Sequence, residues 1–336
     1  MTQAHRLAEA AREAETRGEN ARALALYDDA LAELGSHSSD PLAATVLRWK
    51  GTLLRETGQT EEACRHYLRS LAVAERTGLA DVKAHVLNCL AIIAQRRGDL
   101  REAERLYEKA SECATEGLEH RLLGMIQQNR GVLANMRGDF PAASSLYEES
   151  LKTFEIAGDD QAVSWVLNNL GMLHTKLGHL VEAQKHLESG LAIAKRRDDA
   201  LVEEIITLNL AELWVRADDL ELAEKLCSHS LEAANRRSDR LTAAEALTCR
   251  ARIERKRGEF DKGIASLQMA RFEAQGSEDR MLHAEIQREL GQLARDRGDT
   301  PAAKDALSQA AVEFRNVGAL HDAVETETLL MHLSPG

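Results

Sequence analysis

The apolar positions of this chain follow a helical rhythm in blocks of about sixteen residues, and the blocks themselves repeat. Val46, Val86, Ile126, Val166, Ile206, Ala246 and Ile286 stand forty residues apart. Seven residues after each comes Leu53, Ile93, Leu133, Leu173, Leu213, Ile253 or Leu293, with a small residue between (Gly51, Ala91, Gly131, Gly171, Ala211, Ala251, Gly291). At ~100° per residue the three positions share one arc of a helix, the face it buries. Each block ends at a glycine, at 18, 58, 98, 138, 178, 258 and 298, with Asp218 in the missing place. A second block follows each anchor. Five residues on stands a small side chain, nine on Tyr27, Tyr67, Tyr107, Tyr147, Leu187, Cys227, Leu267 or Leu307, and twelve on another small one.

This pattern predicts eight helix pairs. Helix A precedes the anchor and helix B follows it. Glycine ends helix A because the reversal wants a left-handed backbone, and Asp218 predicts a slightly altered turn in repeat six. Breaker clusters mark the B-to-A connections: Ser36 to Asp40, Gly78, Gly117, Gly158 to Asp160, Asp198-Asp199, Ser238-Asp239, Gly276-Ser277 and Gly318. Residues 320–333 read as a lone ninth helix A. It caps the stack with Leu329, Leu330 and Leu333 against the last pair, as solenoid ends require. The expected fold is all-α, one solenoid over residues 1–336.

The repeat resembles the tetratricopeptide repeat family over essentially the whole chain. Repeat five matches most clearly, with Asn169-Leu170-Gly171 in helix A, Gly178 at the turn, and Ala183 and Gly190 in helix B. The length and the "NNL" helix A are similar to those of kinesin light chain and of bacterial peptide-sensing regulators. The resemblance implies a right-handed superhelix whose A helices line a concave groove. The glycine turn and the tyrosine register speak against pentatricopeptide RNA readers.

Along that implied groove, amides recur. Arg48, Asn88, Gln128 and Asn168 stand ten before the anchor; Asn129, Asn169 and Asn209 stand nine before it. An amide offers donor and acceptor to a guest backbone, whatever the guest's side chains. The asparagines nine before the anchor could also bond across helices. The centre of the face adds Met125, Trp165, Met172 and Leu208; its C-terminal part adds Arg252, Arg255, Arg288 and Arg295, and Arg55 lies near its start. The expected guest is a peptide or protein segment with a central apolar residue and flanking acidic ones. A homo-oligomeric contact is an alternative use of the apolar centre.

Composition narrows the function. Net charge is -12, with 43 basic against 55 acidic residues, which opposes nucleic acid as partner. No apolar run suits a membrane span, and the charged N-terminus is no signal peptide. Five scattered cysteines without CxxC pairing suit a reducing cytoplasm. Phosphate loops, nucleophile elbows and metal-helix motifs are absent, so neither catalysis nor a cofactor is expected. His174, His179 and His186 do not share a helical face, and a turn separates the first two. The expected role is an adaptor or scaffold. The alternative is a peptide-responsive regulator whose effector domain lies on another chain, since the repeats begin by about residue 4.

Overall fold

The computed structural model describes residues 2–35, 40–116, 119–277 and 279–333. Ser36 to Ser39 and Gly117, expected in connections, lie outside them. Among the described residues there are seventeen helices and no strand. They divide into two compact units, 1–129 and 130–336, with the boundary inside one helix.

The N-terminal unit holds α1 (Gln3–Thr16), α2 (Asn20–Leu34), α3 (Pro41–Glu56), α4 (Thr60–Thr77), α5 (Ala80–Arg96), α6 (Leu100–Glu116) and the first half of α7 (His120–Arg137). The C-terminal unit continues with α8 (Phe140–Ala157), α9 (Asp160–Leu177), α10 (Leu180–Arg196), α11 (Ala200–Arg216) and α12 (Leu220–Arg237). It ends with α13 (Arg240–Lys256), α14 (Phe260–Glu273), α15 (Arg280–Asp296), α16 (Thr300–Asn316) and α17 (Leu320–Met331). Odd-numbered helices are the A helices and even-numbered ones the B helices.

All seven anchor glycines have positive φ. The residue after each anchor donates its N–H to the carbonyl five positions back, as in Asp99 to Ala94 (3.0 Å) and Asp139 to Ala134 (2.9 Å). That aspartate then accepts from the first turn of helix B, as Asp139 does from the Ala142 N–H at 3.1 Å. Asp218 was expected to alter its turn. It adopts φ +65° and keeps the same geometry, with Asp219 N–H on the Trp214 carbonyl at 3.0 Å. A short polar side chain tolerates the left-handed well better than most, and Lys256 pairs with this one at 2.8 Å.

The two small-and-large positions of the repeat meet inside each pair. A Cβ on Gly51 or Gly131 would stand 2.8 or 2.6 Å from the ring of Tyr67 or Tyr147, and one on Gly171 2.4 Å from Leu187 Cγ. The glycine lets the ring or leucine of helix B lie on the helix A backbone.

Within the N-terminal unit, A helices of consecutive repeats touch (α1 with α3, α3 with α5), and so do α9, α11, α13 and α15 in the C-terminal unit. Among the described helix pairs B helices do not touch one another in this way. A stack with one touching and one splayed layer curves toward the touching one, so in each unit the A helices form the inner layer. At the C-terminus α17 packs on α16. Its buried face is Asp322, Ala323 and Thr326; Leu329, Leu330 and Leu333 are only half-buried, contrary to expectation. Alanines let α17 approach closely, so the leucines fall at the fraying end.

Candidate functional site: the inner face of the A helices

The amide positions sit where neighbouring A helices meet. Asn88 and Asn168 are 3% exposed. Asn129 donates from Nδ2 to Asn88 Oδ1 at 3.0 Å, and Asn209 donates to Asn168 Oδ1 at 2.7 Å. Asn88 and Asn168, ten before their anchors, therefore face the seam and are bridged by position nine of the next repeat. Two of the expected amide contacts are thus turned to each other. In repeat six the seam is apolar instead: Leu208, expected on the open face, is 5% exposed and belongs to the same core cluster as Cys249. Gln128 in the N-terminal unit and Asn169 in the C-terminal unit are half-buried, and neither takes part in a side-chain hydrogen bond among the described residues.

Apolar chemistry on this face is carried by thioethers. Met125 is 39% exposed and Met172 49%. Trp165 is half-buried, its ring against the cluster that holds Leu187, Ile206 and Leu210.

The arginines of the C-terminal unit already have partners. Arg252 contacts Glu212 at 2.6 Å, Glu289 at 2.9 Å and Glu285 at 3.6 Å. Arg255 meets Asp296 at 3.0 Å and Glu289 at 3.7 Å, and Arg295 meets Asp296 at 2.8 Å. Arg288 bonds Asp322 at 3.0 Å and stands over the Phe314 ring at 4.9 Å. Three Arg252 carboxylates outweigh its desolvation and hold its charge well above the ordinary range. Glu289 and Asp322 are partners of these arginines that sequence reasoning missed. The period carried the signal: Glu212 and Arg252 share a register forty residues apart, and Glu289 is position nine of the next repeat. In the N-terminal unit Arg48 is different. Its Nε is buried without a hydrogen-bond partner, and burial lowers its pKa.

The three histidines are adjacent, although sequence spacing argued otherwise. The turn folds the chain back, with His179 N–H on the His174 carbonyl at 2.9 Å. The Nδ1 atoms of His174 and His179 come to 3.4 Å, and the His174 and His186 rings stack at 5.4 Å. Burial lowers the pKa of His174 and His186. Among the described residues no three His, Cys, Asp or Glu side chains are arranged to hold a metal. Likewise, no described helix is long and apolar enough to cross a membrane.

A recess of about 520 Å³ lies on the splayed B-helix layer between α4 and α6, walled by Leu68, Leu71, Leu90 and Leu106. Leu68 was legible as an exception, because the other repeats have Asp28, Glu108, Glu148, Glu188, Ser228, Gln268 and Ser308 in its register.

Residues 42–116, 82–156 and 122–196 match the tetratricopeptide repeat family model. Among solved structures it is similar to a Rap protein complexed with competence and sporulation factor, at 14% identity and TM-score 0.66, over 98% of this chain and 97% of that one. It is also similar to the apo form of RapI (15% identity, TM-score 0.68, 81% of this chain and 98% of that one). A tetratricopeptide repeat protein from Parabacteroides merdae matches at 16% identity and TM-score 0.58, over 87% of this chain and 98% of that one. At such identities the likeness is one of fold. The curated protein sequences contain no match.

Proposed function

We propose that this protein is a binding module that holds an extended segment of another protein or peptide against the inner face of its A helices. The observation that carries the reading is the pairing of free amides with exposed thioethers on an otherwise well-bonded layer. Gln128 and Asn169 keep unused donors and acceptors beside Met125 and Met172 respectively, each within its own unit. Such a face suits a guest backbone and one adaptable apolar side chain. The Rap structure, complexed with a factor, supports a guest-holding use of this fold. Five free cysteines support a cytoplasmic location. No cofactor or catalytic group enters the reading.

Affinity capture from the source cells, with wild type beside Gln128→Ala and Asn169→Ala, tests it. The same partner should be retained less by either variant, at unchanged helicity. Equal retention by all three would remove the inner face from the account. A regulator whose effector lies on another chain is the second reading. The observation favouring it is the Lys176–Asp322 contact, which ties residues 146 positions apart within the C-terminal unit. Small-angle scattering with and without the captured partner separates the two, since a regulator compacts and an adaptor keeps its dimensions.

A further inference from the structure

The basic side chains on the inner face fall into two kinds. Arg252, Arg255, Arg288 and Arg295 in the C-terminal unit each have a carboxylate at 3.0 Å or less. Arg48 and Arg55 in the N-terminal unit do not. Both have an Nε that is buried without a hydrogen-bond partner, as Arg255 has, but Arg255 also has a carboxylate at 3.0 Å. Among the described residues Arg48 has no ion pair; its guanidinium stands over the Trp49 ring at 5.9 Å. Arg12 lies over the same ring at 5.3 Å, but Glu15 neutralises it at 2.7 Å. Arg55 reaches its exposed neighbour Glu56 at 3.6 Å and lies beside Tyr67, and together these outweigh its burial and raise its pKa.

Carboxylates are not scarce in a chain with 55 acidic residues. A partly buried guanidinium without one is energetically unfavourable. Arg48 therefore calls for a reason outside the free protein, and Arg55 on the same helix likewise has no carboxylate within 3.0 Å. Arg48 and Arg55 are seven residues apart on α3, hence on one face and about 10 Å apart along the axis. Residues three apart in an extended, polyproline-like chain also share a side and are separated by about 9 Å.

We propose that Arg48 and Arg55 form a two-point receptor for a pair of acidic side chains three residues apart in the guest. This rests on the guest-holding reading above. It assigns the acidic end of the guest to the N-terminal unit, because the arginines of the C-terminal unit are already neutralised by their own repeats.

The test is selection of a bead-displayed random dodecapeptide library, amidated at its C-termini, on the full chain. Acidic residues should be enriched at two positions three apart. The double variant Arg48→Gln/Arg55→Gln should lose that enrichment while keeping the apolar preference, and Arg252→Gln should leave it intact. A selected peptide should lose about tenfold in affinity when its two acidic residues become amides. Arg48→Gln should not lower the Tm of the free protein, since it removes an unpaired charge. Selected peptides without acidic preference, or with a preference that survives the double variant, would overturn the receptor and leave guest holding intact. Selection of no peptide would end both. A Tm lowered by several degrees in Arg48→Gln would make the guanidinium a structural group instead.

Discussion

The tightest demands on single residues come from glycines that are not in turns. Gly171 lies mid-helix in α9, where alanine is ordinarily preferred by about 1 kcal/mol. Here the preference reverses, since a Cβ would fall 2.4 Å from Leu187 Cγ and 2.6 Å from Cδ2. Gly171→Ala is expected to destabilise the protein by about 1–3 kcal/mol, the usual range for overpacking. Adding Leu187→Ala should recover part of that loss, and thermal unfolding of the single and double variants measures it. Histidines set a second residue-level expectation. Burial is the leading cause that lowers His66 and His85 to about 4, with Lys50 and Arg48 respectively adding repulsion. The unfolded chain takes up these protons near pH 6.5 and the folded one only near 4, so stability falls as pH drops through that window. Each is expected to cost about 1–2 kcal/mol by pH 4. His66→Leu should flatten its share of the Tm-against-pH curve.

Between elements, the seam of neighbouring A helices is decided by pairs 41 residues apart. Asn209→Ala would leave the buried Asn168 amide without its donor and is expected to cost about 1–3 kcal/mol. Asn168→Leu with Asn209→Cys copies the seam that Leu208 and Cys249 already form, and should lie within about 1 kcal/mol of wild type. Denaturant unfolding of the single and paired variants checks both. The same seam explains what could be read in advance. Helix pairs, turns and the glycine–tyrosine contact were legible because each is set by residues inside one repeat. The register also placed Asn88, Asn129, Asn168 and Asn209 together. It did not say whether they face a guest or each other, because helical angle alone does not report which way an amide at the edge of the layer turns. Charge pairing of the arginines and the histidine cluster were missed for a related reason. Each depends on atoms from a neighbouring repeat or across a reversal, and helical angle alone does not report those.

At the scale of the molecule, the side-chain hydrogen bond of longest sequence span among the described residues lies inside the C-terminal unit. Asp322, near the start of α17, accepts from Lys176 of α9 at 3.1 Å and from Arg288 of α15 at 3.0 Å. The two cations outweigh burial and hold its carboxyl below the ordinary carboxylate range. Beside it, His321 meets the Phe140 ring edge-on at 4.8 Å. A depressed carboxyl contributes stability above its unfolded value, near 3.9, and loses it only as pH falls through the lower folded value. The tie is therefore intact in the window where the histidines fail, which separates the two effects by pH. Asp322→Ala leaves two partly buried cations facing each other and is expected to cost about 2–4 kcal/mol. If the contact merely seats the last helix, amide exchange should quicken in α17 alone. If it ties the unit together, exchange should quicken also at the end of α9 and the start of α8, with α11 to α14 unchanged. We expect the second pattern at pH 7, because Lys176 and Phe140 have their contacts with α17 and would lose them together. Protection unchanged in α8 and α9 would reduce α17 to a cap.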